Sequence, residues 1–388
     1  MYKIMFSAGE VSGDLHGAAI AKALKKIQPE SKLFGFGGEK MRAAGVNILY
    51  DMQDYNVMGF WEVLKNLRRM FKLRDNLLKV IQREKPDLLI LIDYPDFNWR
   101  LAKKAKKLGV PIFSYIPPSA WAWRKGRAKP VARLADKIVA IFPFELAVYE
   151  AVGANIEFVG NPLIDSVKPE MDKATAADYF DANLNNPNVL LLPGSRQQEV
   201  TILLPEMLKA AESIYAKYPE TQFYLPAAAT IPRAMLQKII EPFHIPIHIT
   251  DTYTYDLMNI CDVAVATSGT VTLEAALMEL PTVVLYKMSP ISYFIGKLLI
   301  HVTNFSLPNI IAGDRIIPEL LQQEVNTERI TREMLALFKG TAGGAAVKLM
   351  LAQTKAKLGQ PQAVDRIAKL IIETADQCAL KNAKKSRD

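Results

Sequence analysis

The residue type and placement that most plainly suit chemistry belong to Asp93, at the end of the apolar run in DLLILIDYPDFN. Pro95 stops the strand, so the Asp93 carboxylate is expected at the strand's carboxyl end, in a cleft facing a second domain. A carboxylate there suits a general base, which takes a proton from an attacking hydroxyl. The plainer reading is a strand-end aspartate that caps the following turn. Asp96 precedes a helical pattern and reads as an N-cap. His16 is the rival base, against a loop histidine held by a local hydrogen bond.

Two loops of the second half carry the more specific binding signals. In LLPGSR a buried strand ends at Gly194, Ser195 and Arg196. The glycine lets backbone approach a ligand, and the hydroxyl and guanidinium offer donors to phosphate oxygens. In CDVAVATSGTVTLEAAL a strand feeds Ser268, Gly269 and Thr270 and then a helix, whose N-terminus is a ready site for a pyrophosphate. Glu274, a turn further in, suits a pair of ribose hydroxyls. Each loop alone also fits a surface turn or a helix cap; together they point to a nucleotide diphosphate. Neither is a Walker sequence, which excludes the usual kinase and ATPase readings. No Asp-x-Asp occurs, so a metal-bridged diphosphate is not expected and the charge of a leaving group falls to Arg196 and the helix end.

In SAGEVSGDLHG, after the first strand, Gly9 frees the backbone, and Glu10 and Asp14 would repel a pyrophosphate but suit sugar hydroxyls. Gly9, Glu10 and Ser12 therefore read as an acceptor or sugar contact, against helix-start capping by Ser12 and Asp14. The segment FWEVLKNLRRMFKLRDNLLKV places Phe60, Leu64, Leu67, Met70 and Phe71 on one helical stripe with Trp61 at its entry and Arg68 beside it. That pattern suits a helix resting in an anionic membrane interface, or a core-facing helix with a basic solvent face. Trp121 and Trp123 stand beside Arg124 and Arg127, where rings stack on a sugar or simply pack.

Positioning these loops requires strands that alternate with helices, and the chain supplies that beat twice. Continuously apolar strands such as DLLILID imply a parallel sheet covered on both faces. The expected class is therefore α/β, with two tandem Rossmann-like, doubly wound domains facing an interdomain cleft and binding loops outside the strands' carboxyl ends. The boundaries are 1–165 for the first domain, which takes the acceptor, and 170–350 for the second, which takes the donor. The stretch after Pro318 reads as helices only, and helices over 355–388 are expected to pack back on the first domain.

The 388 residues include four His and two Cys, too few for a disulfide framework or zinc cluster, which fits a reducing cytoplasm. No apolar stretch reaches the roughly 20 residues of a membrane span. The net charge of +8 implies an anionic partner, yet no nucleic-acid signature accompanies it.

The segments SAGEVSGD, GFGGEKM, NVMGFWEVL, DYPDFN, PPSAWAWR, FPFE, GNPL, LLPGSR, ATSGTVTLEAAL and SLPNIIAG occur in the order found in lipid-A-disaccharide synthases, and over about residues 5 to 315 the chain resembles that family. The resemblance implies a GT-B fold without metal or other cofactor. It implies transfer of diacylglucosamine from UDP-2,3-diacylglucosamine to 2,3-diacylglucosamine 1-phosphate, a lipid-linked acceptor, with inversion to a β(1→6) linkage and release of UDP. It carries the base over to Asp93 and family roles over to Arg196 and Asn309. It also implies a peripheral protein on the cytoplasmic side of the inner membrane, and a homodimer. The alternative within the fold is a UDP-N-acetylglucosamine 2-epimerase; a non-catalytic nucleotide-sugar-binding protein is a third reading.

Overall fold

The computed structural model describes residues 1–55, 60–120, 125–288 and 303–385, with the side chains of 60–67, 125 and 385 left out of the description. The chain divides into two compact units, Met1–Pro162 with Gln360–Asp388, and Leu163–Gly359.

In the first unit the elements run β1 (Lys3–Ala8), α1 (Val11–Ile27), β2 (Lys32–Gly37), α2 (Glu39–Ala43), β3 (Asn47–Asp51), α3 (Phe60–Glu84), β4 (Leu88–Ile92), α4 (Pro95–Lys107), β5 (Ile112–Tyr115), α5 (Ala128–Leu134), β6 (Lys137–Ala140), α6 (Glu145–Glu150) and β7 (Ile156–Phe158). The second unit runs α7 (Leu163–Ser166), α8 (Lys173–Tyr179), β8 (Asn188–Leu192), α9 (Gln197–Lys217), β9 (Gln222–Pro226), α10 (Arg233–Ile240), β10 (Ile247–Thr250), α11 (Thr254–Ile260), β11 (Val263–Thr267), α12 (Thr270–Leu277), β12 (Thr282–Tyr286), α13 (Leu307–Ala312), β13 (Glu319–Leu321), α14 (Thr327–Ala336) and α15 (Ala342–Lys357). The last helix, α16 (Ala363–Lys385), returns to the first unit.

All described strand pairs are parallel. The first sheet has the order β3-β2-β1-β4-β5-β6-β7 and the second β10-β9-β8-β11-β12-β13. The central strands are apolar at every position because helices cover both faces: Leu88 to Ile92 are all buried, as are Val263 to Ala266. On α16, Ile367, Ala368, Ile371 and Ala375 fall at helical spacing and join Ala18, Ala21 and Leu24 of α1 in one core.

Strand order locates the sites. In the first sheet the chain winds one way from β1 and the other from β4; in the second it does so from β8 and β11. Loops leaving such neighbouring strands diverge and open a crevice at the carboxyl edge. Asp93 follows β4 and Gly9 follows β1, while Gly194 follows β8 and Ser268 follows β11.

Two local expectations need correction. The stretch after Pro318 is not purely helical, since Glu319–Leu321 pairs with β12 as a three-residue edge strand, too short to leave a period-2 signal. Asp96 does not cap α4: Pro95 takes the first helical position and Tyr94 the N-cap, with no side-chain cap bond. Asp96 is exposed in the first turn and paired with Arg127 at 3.3 Å.

Candidate active site

In the second unit, Gly194, Ser195, Arg196, Ser268, Gly269, Thr270 and Glu274 all line one cavity of about 410 Å³, together with Thr254 and the Pro226–Ala228 turn. Gly194 has φ +112, and a Cβ there would stand 2.6 Å from a Glu199 carboxylate oxygen and 3.0 Å from the Thr267 methyl. Only glycine combines that backbone with that space. Gly269 differs: its backbone is extended, and a Cβ would meet nothing within 4 Å. It is the N-cap of α12 and, as glycine, offers no side-chain cap; Thr270 and Val271 of the first turn line the cavity, while the Thr272 N–H donates to the Gly269 carbonyl. The Thr272 hydroxyl also donates to the Gly269 carbonyl, 2.8 Å away. Arg196 holds Glu199 at 2.6 Å with its guanidinium largely exposed, and the Thr230 hydroxyl donates to the Ser195 carbonyl. Glu274 is half-buried, and burial raises its carboxyl above the ordinary value.

In the first unit, Asp93 and Tyr94 follow β4 with φ of +45 and +51. Two successive left-handed residues without glycine are strained, at roughly 1–3 kcal/mol each. The surroundings hold them: Asn98 donates to the Asp93 carbonyl at 2.7 Å and accepts from the Ser7 hydroxyl at 2.6 Å, and the Asp93 N–H donates to the Tyr115 carbonyl. Burial pushes the Asp93 carboxyl up, and a backbone N–H at Tyr94 partly offsets that. Two further carboxyls sense its charge. Glu10 is raised by desolvation and then by Asp93. Glu145, buried after β6, is pushed up to about 7 by burial and further by Asp93, while the N–H groups of Phe142 and Ile141 that it accepts pull it down. His16 lies 3.5 Å from the Tyr115 hydroxyl, its basicity lowered by burial.

The model of the lipid-A-disaccharide synthetase family matches residues 4–373. A lipid-A-disaccharide synthase of Geobacter sulfurreducens is 40% identical over 96% of this chain and 97% of its own length, and one of Nitrosococcus oceani is 43% identical over 91% of each. The chain belongs to the lipid-A-disaccharide synthase family. Its relatives are named lipid-A-disaccharide synthases, and this chain is a glycosyltransferase. Among solved structures, the putative UDP-N-acetylglucosamine 2-epimerase of Listeria monocytogenes superposes with a TM-score of 0.66 at 17% identity, over 94% of each chain. The calicheamicin glycosyltransferase CalG4 does so with 0.62 at 12%, over 98% of this chain and 99% of its own. These likenesses establish the GT-B fold, and the family match does not favour the epimerase reading.

Of the residues expected from the sequence, the seven donor-loop positions come together around one cavity, and Glu10 in the first unit feels the charge of Asp93. Asn309 does not meet a sugar through its amide. It is fully buried, donating to the Ile317 carbonyl and Glu319 carboxylate and accepting from the N–H groups of Ile316 and Ile317, all within 2.8–3.0 Å. Gly9 is small because the Tyr94 ring fills its side-chain space: a Cβ would stand 2.3 Å from that ring. Asp14 is also structural, its carboxylate accepting from the N–H groups of Gly38, Lys40 and Met41 at the start of α2. Ser12 is exposed in the first turn of α1.

Of the expected membrane stripe, Arg68 is exposed, Phe71 is 38% exposed, and Met70 packs on the core. Further along α3, Leu73, Leu77, Val80 and Ile81 are core. The side chains of Phe60, Trp61, Leu64 and Leu67 lie outside the described residues, as do Trp121, Trp123, Arg124 and the run ISYFIGKLLI. Glu145, Glu199 and Thr254 escaped the sequence reading. For Glu199 and Thr254, a place in the loop or helix that follows a strand was the available signal.

Proposed function

We propose that this glycosyltransferase moves 2,3-diacylglucosamine from UDP-2,3-diacylglucosamine to the 6-hydroxyl of 2,3-diacylglucosamine 1-phosphate, with inversion. The observation that carries this reading is the convergence of Gly194–Arg196, Ser268–Thr270 and Glu274 on one cavity in a member of this family.

The second unit takes the donor. The N–H groups of Thr270 and Val271 at the start of α12 and the Ser195 and Ser268 hydroxyls bind the diphosphate, and Glu274 accepts from the ribose hydroxyls. Arg196 trades its pairing with Glu199 for the phosphates and stabilises the charge that develops on departing UDP. The first unit supplies the base: Asp93 takes the proton of the acceptor hydroxyl while that oxygen bonds to the anomeric carbon and the bond to UDP breaks. Glu10, raised by burial and then by the charge of Asp93, supplies the acceptor-sugar contact. No step calls for a metal, because the diphosphate's charge is met by Arg196 and the helix end. The net charge of +8 and exposed Arg68 and Arg69 on α3 support work at an anionic membrane surface, on its cytoplasmic side. Among the described residues, no helix is long and apolar enough to cross a membrane.

The test supplies purified protein, in detergent, with both substrates and follows UDP and disaccharide. Equal release of UDP and disaccharide supports the reading; a 2-epimer without disaccharide sinks it.

A further inference from the structure

A groove of about 160 Å³ lies between α3 and α4, lined by Met70, Phe71, Arg74, Tyr94, Phe97 and Arg100, with Asp96 at its edge. Its walls combine two chemistries. The floor is apolar: Tyr94 and Phe97 are in ring contact at 5.7 Å, and the Tyr94 hydroxyl reaches the Met70 sulfur at 3.9 Å. The Phe71 ring, 38% exposed, has the guanidinium of Arg74 at 5.0 Å and that of Arg100 at 5.7 Å from its centre. Arg74 is paired with Asp75, and Asp96 with Arg127. Among the described residues Arg100 has no ion pair, so its guanidinium stands at the groove with the Phe71 ring as its neighbour.

The groove is lined by the residue next to the proposed base. Tyr94, which lines it, is the residue after Asp93, and both are held in the left-handed region. Backbone strain of this kind persists where the surroundings over-determine it and where position matters. Here the surroundings include Asn98 beneath the turn and the bare Gly9 that admits the Tyr94 ring. A ligand whose hydroxyl meets Asp93 therefore has, from the neighbouring Tyr94 onward, an apolar trough with the Arg100 guanidinium on its wall.

We infer that this groove seats one alkyl chain of the acceptor, an acylated sugar phosphate, with Arg100 facing its phosphate. The inference rests on the function proposed above for the acceptor's identity and adds a subsite to it. An apolar trough selects a hydrocarbon chain, and a guanidinium beside it selects an anionic head, so an anionic amphiphile satisfies both. Each methylene seated there multiplies affinity by about fourfold.

Two probes separate the groove from the reaction. Dodecyl phosphate and butyl phosphate, each below its aggregation concentration, are titrated into the full chain by calorimetry. Dodecyl phosphate binds at least tenfold tighter, and Phe71→Ser and Arg100→Glu each weaken it at least tenfold while UDP binding is unchanged. In mixed micelles, the ratio of KM for a short-chain acceptor to KM for a long-chain acceptor then shrinks at least tenfold in Phe71→Ser. Equal binding of the two phosphates, or unchanged dodecyl phosphate binding in both variants, overturns the subsite. Loss of binding to anionic vesicles with dodecyl phosphate binding intact also overturns it, because the groove face then meets a bilayer rather than a single chain. If the phosphates bind as expected and no acceptor is turned over, the subsite stands and the proposed reaction fails.

Discussion

Replacing Gly269 by alanine isolates ligand contact from folding. Its φ of 173 is extended backbone open to any residue, and a Cβ there meets nothing within 4 Å. The cost to the fold is that of a poorer N-cap, on the order of 0.5–1 kcal/mol, which lowers Tm by no more than about 4 °C for a unit of this size. If diphosphate oxygens sit on the first N–H groups of α12, the new methyl occupies their approach. A hydrogen bond to a charged group is worth about 1.5–3 kcal/mol, so losing one weakens UDP about 10- to 150-fold. Calorimetric titration with UDP beside a thermal melt reads both quantities. Gly194→Ala is the contrasting variant: φ +112 and a 2.6 Å approach to Glu199 make it lose stability and binding together. UDP affinity within about twofold of wild type in Gly269→Ala would refute the placement of the diphosphate.

Glu145 predicts a pH dependence of stability. Its folded carboxyl titrates at about 7 against an ordinary 4.5, so the folded state holds a proton that the unfolded chain releases. Its favourable contribution is complete below about pH 4.5, falls as pH rises to about 7 and is flat above, up to about 3 kcal/mol in all. Glu145→Gln, which keeps the accepting oxygen, removes that slope: melting at pH 5 and pH 8 should show the wild type losing ground to the variant, and parallel curves would contradict it. Asn309→Ala removes four hydrogen bonds, those to the N–H groups of Ile316 and Ile317, the Ile317 carbonyl and the Glu319 carboxylate, although Ile316 keeps the Asp314 carbonyl and Glu319 keeps Ser306. At about 1 kcal/mol per bond, the second unit should lose about 3–5 kcal/mol, read as a lowered denaturation midpoint; a midpoint shift worth less than about 1 kcal/mol would show the network is not needed.

What could be read from the sequence was whatever a strand end announces locally. Asp93, Gly194–Arg196 and Ser268–Thr270 each follow an apolar run and open a loop or helix, so type and position travel together along the chain. The misread residues find their partners far off. Asp14 looks like a free carboxylate until the start of α2 folds onto it from 24 residues away, Gly9 looks like a ligand-approach glycine until the Tyr94 ring fills it, and Asn309 turns inward to the segment that ends in β13. The strand β13 escaped because three residues cannot show an alternation. Glu145 escaped for another reason: burial alone makes that carboxyl unusual, and burial belongs to the packed fold.

The central claim is that Asp93 supplies the base while the second unit holds the donor. Asp93→Asn keeps size and hydrogen bonding but cannot take a proton at neutral pH. The account predicts that this variant binds UDP as the wild type does and loses kcat for disaccharide formation by a factor on the order of 10² or more. Wild-type turnover in Asp93→Asn would contradict it.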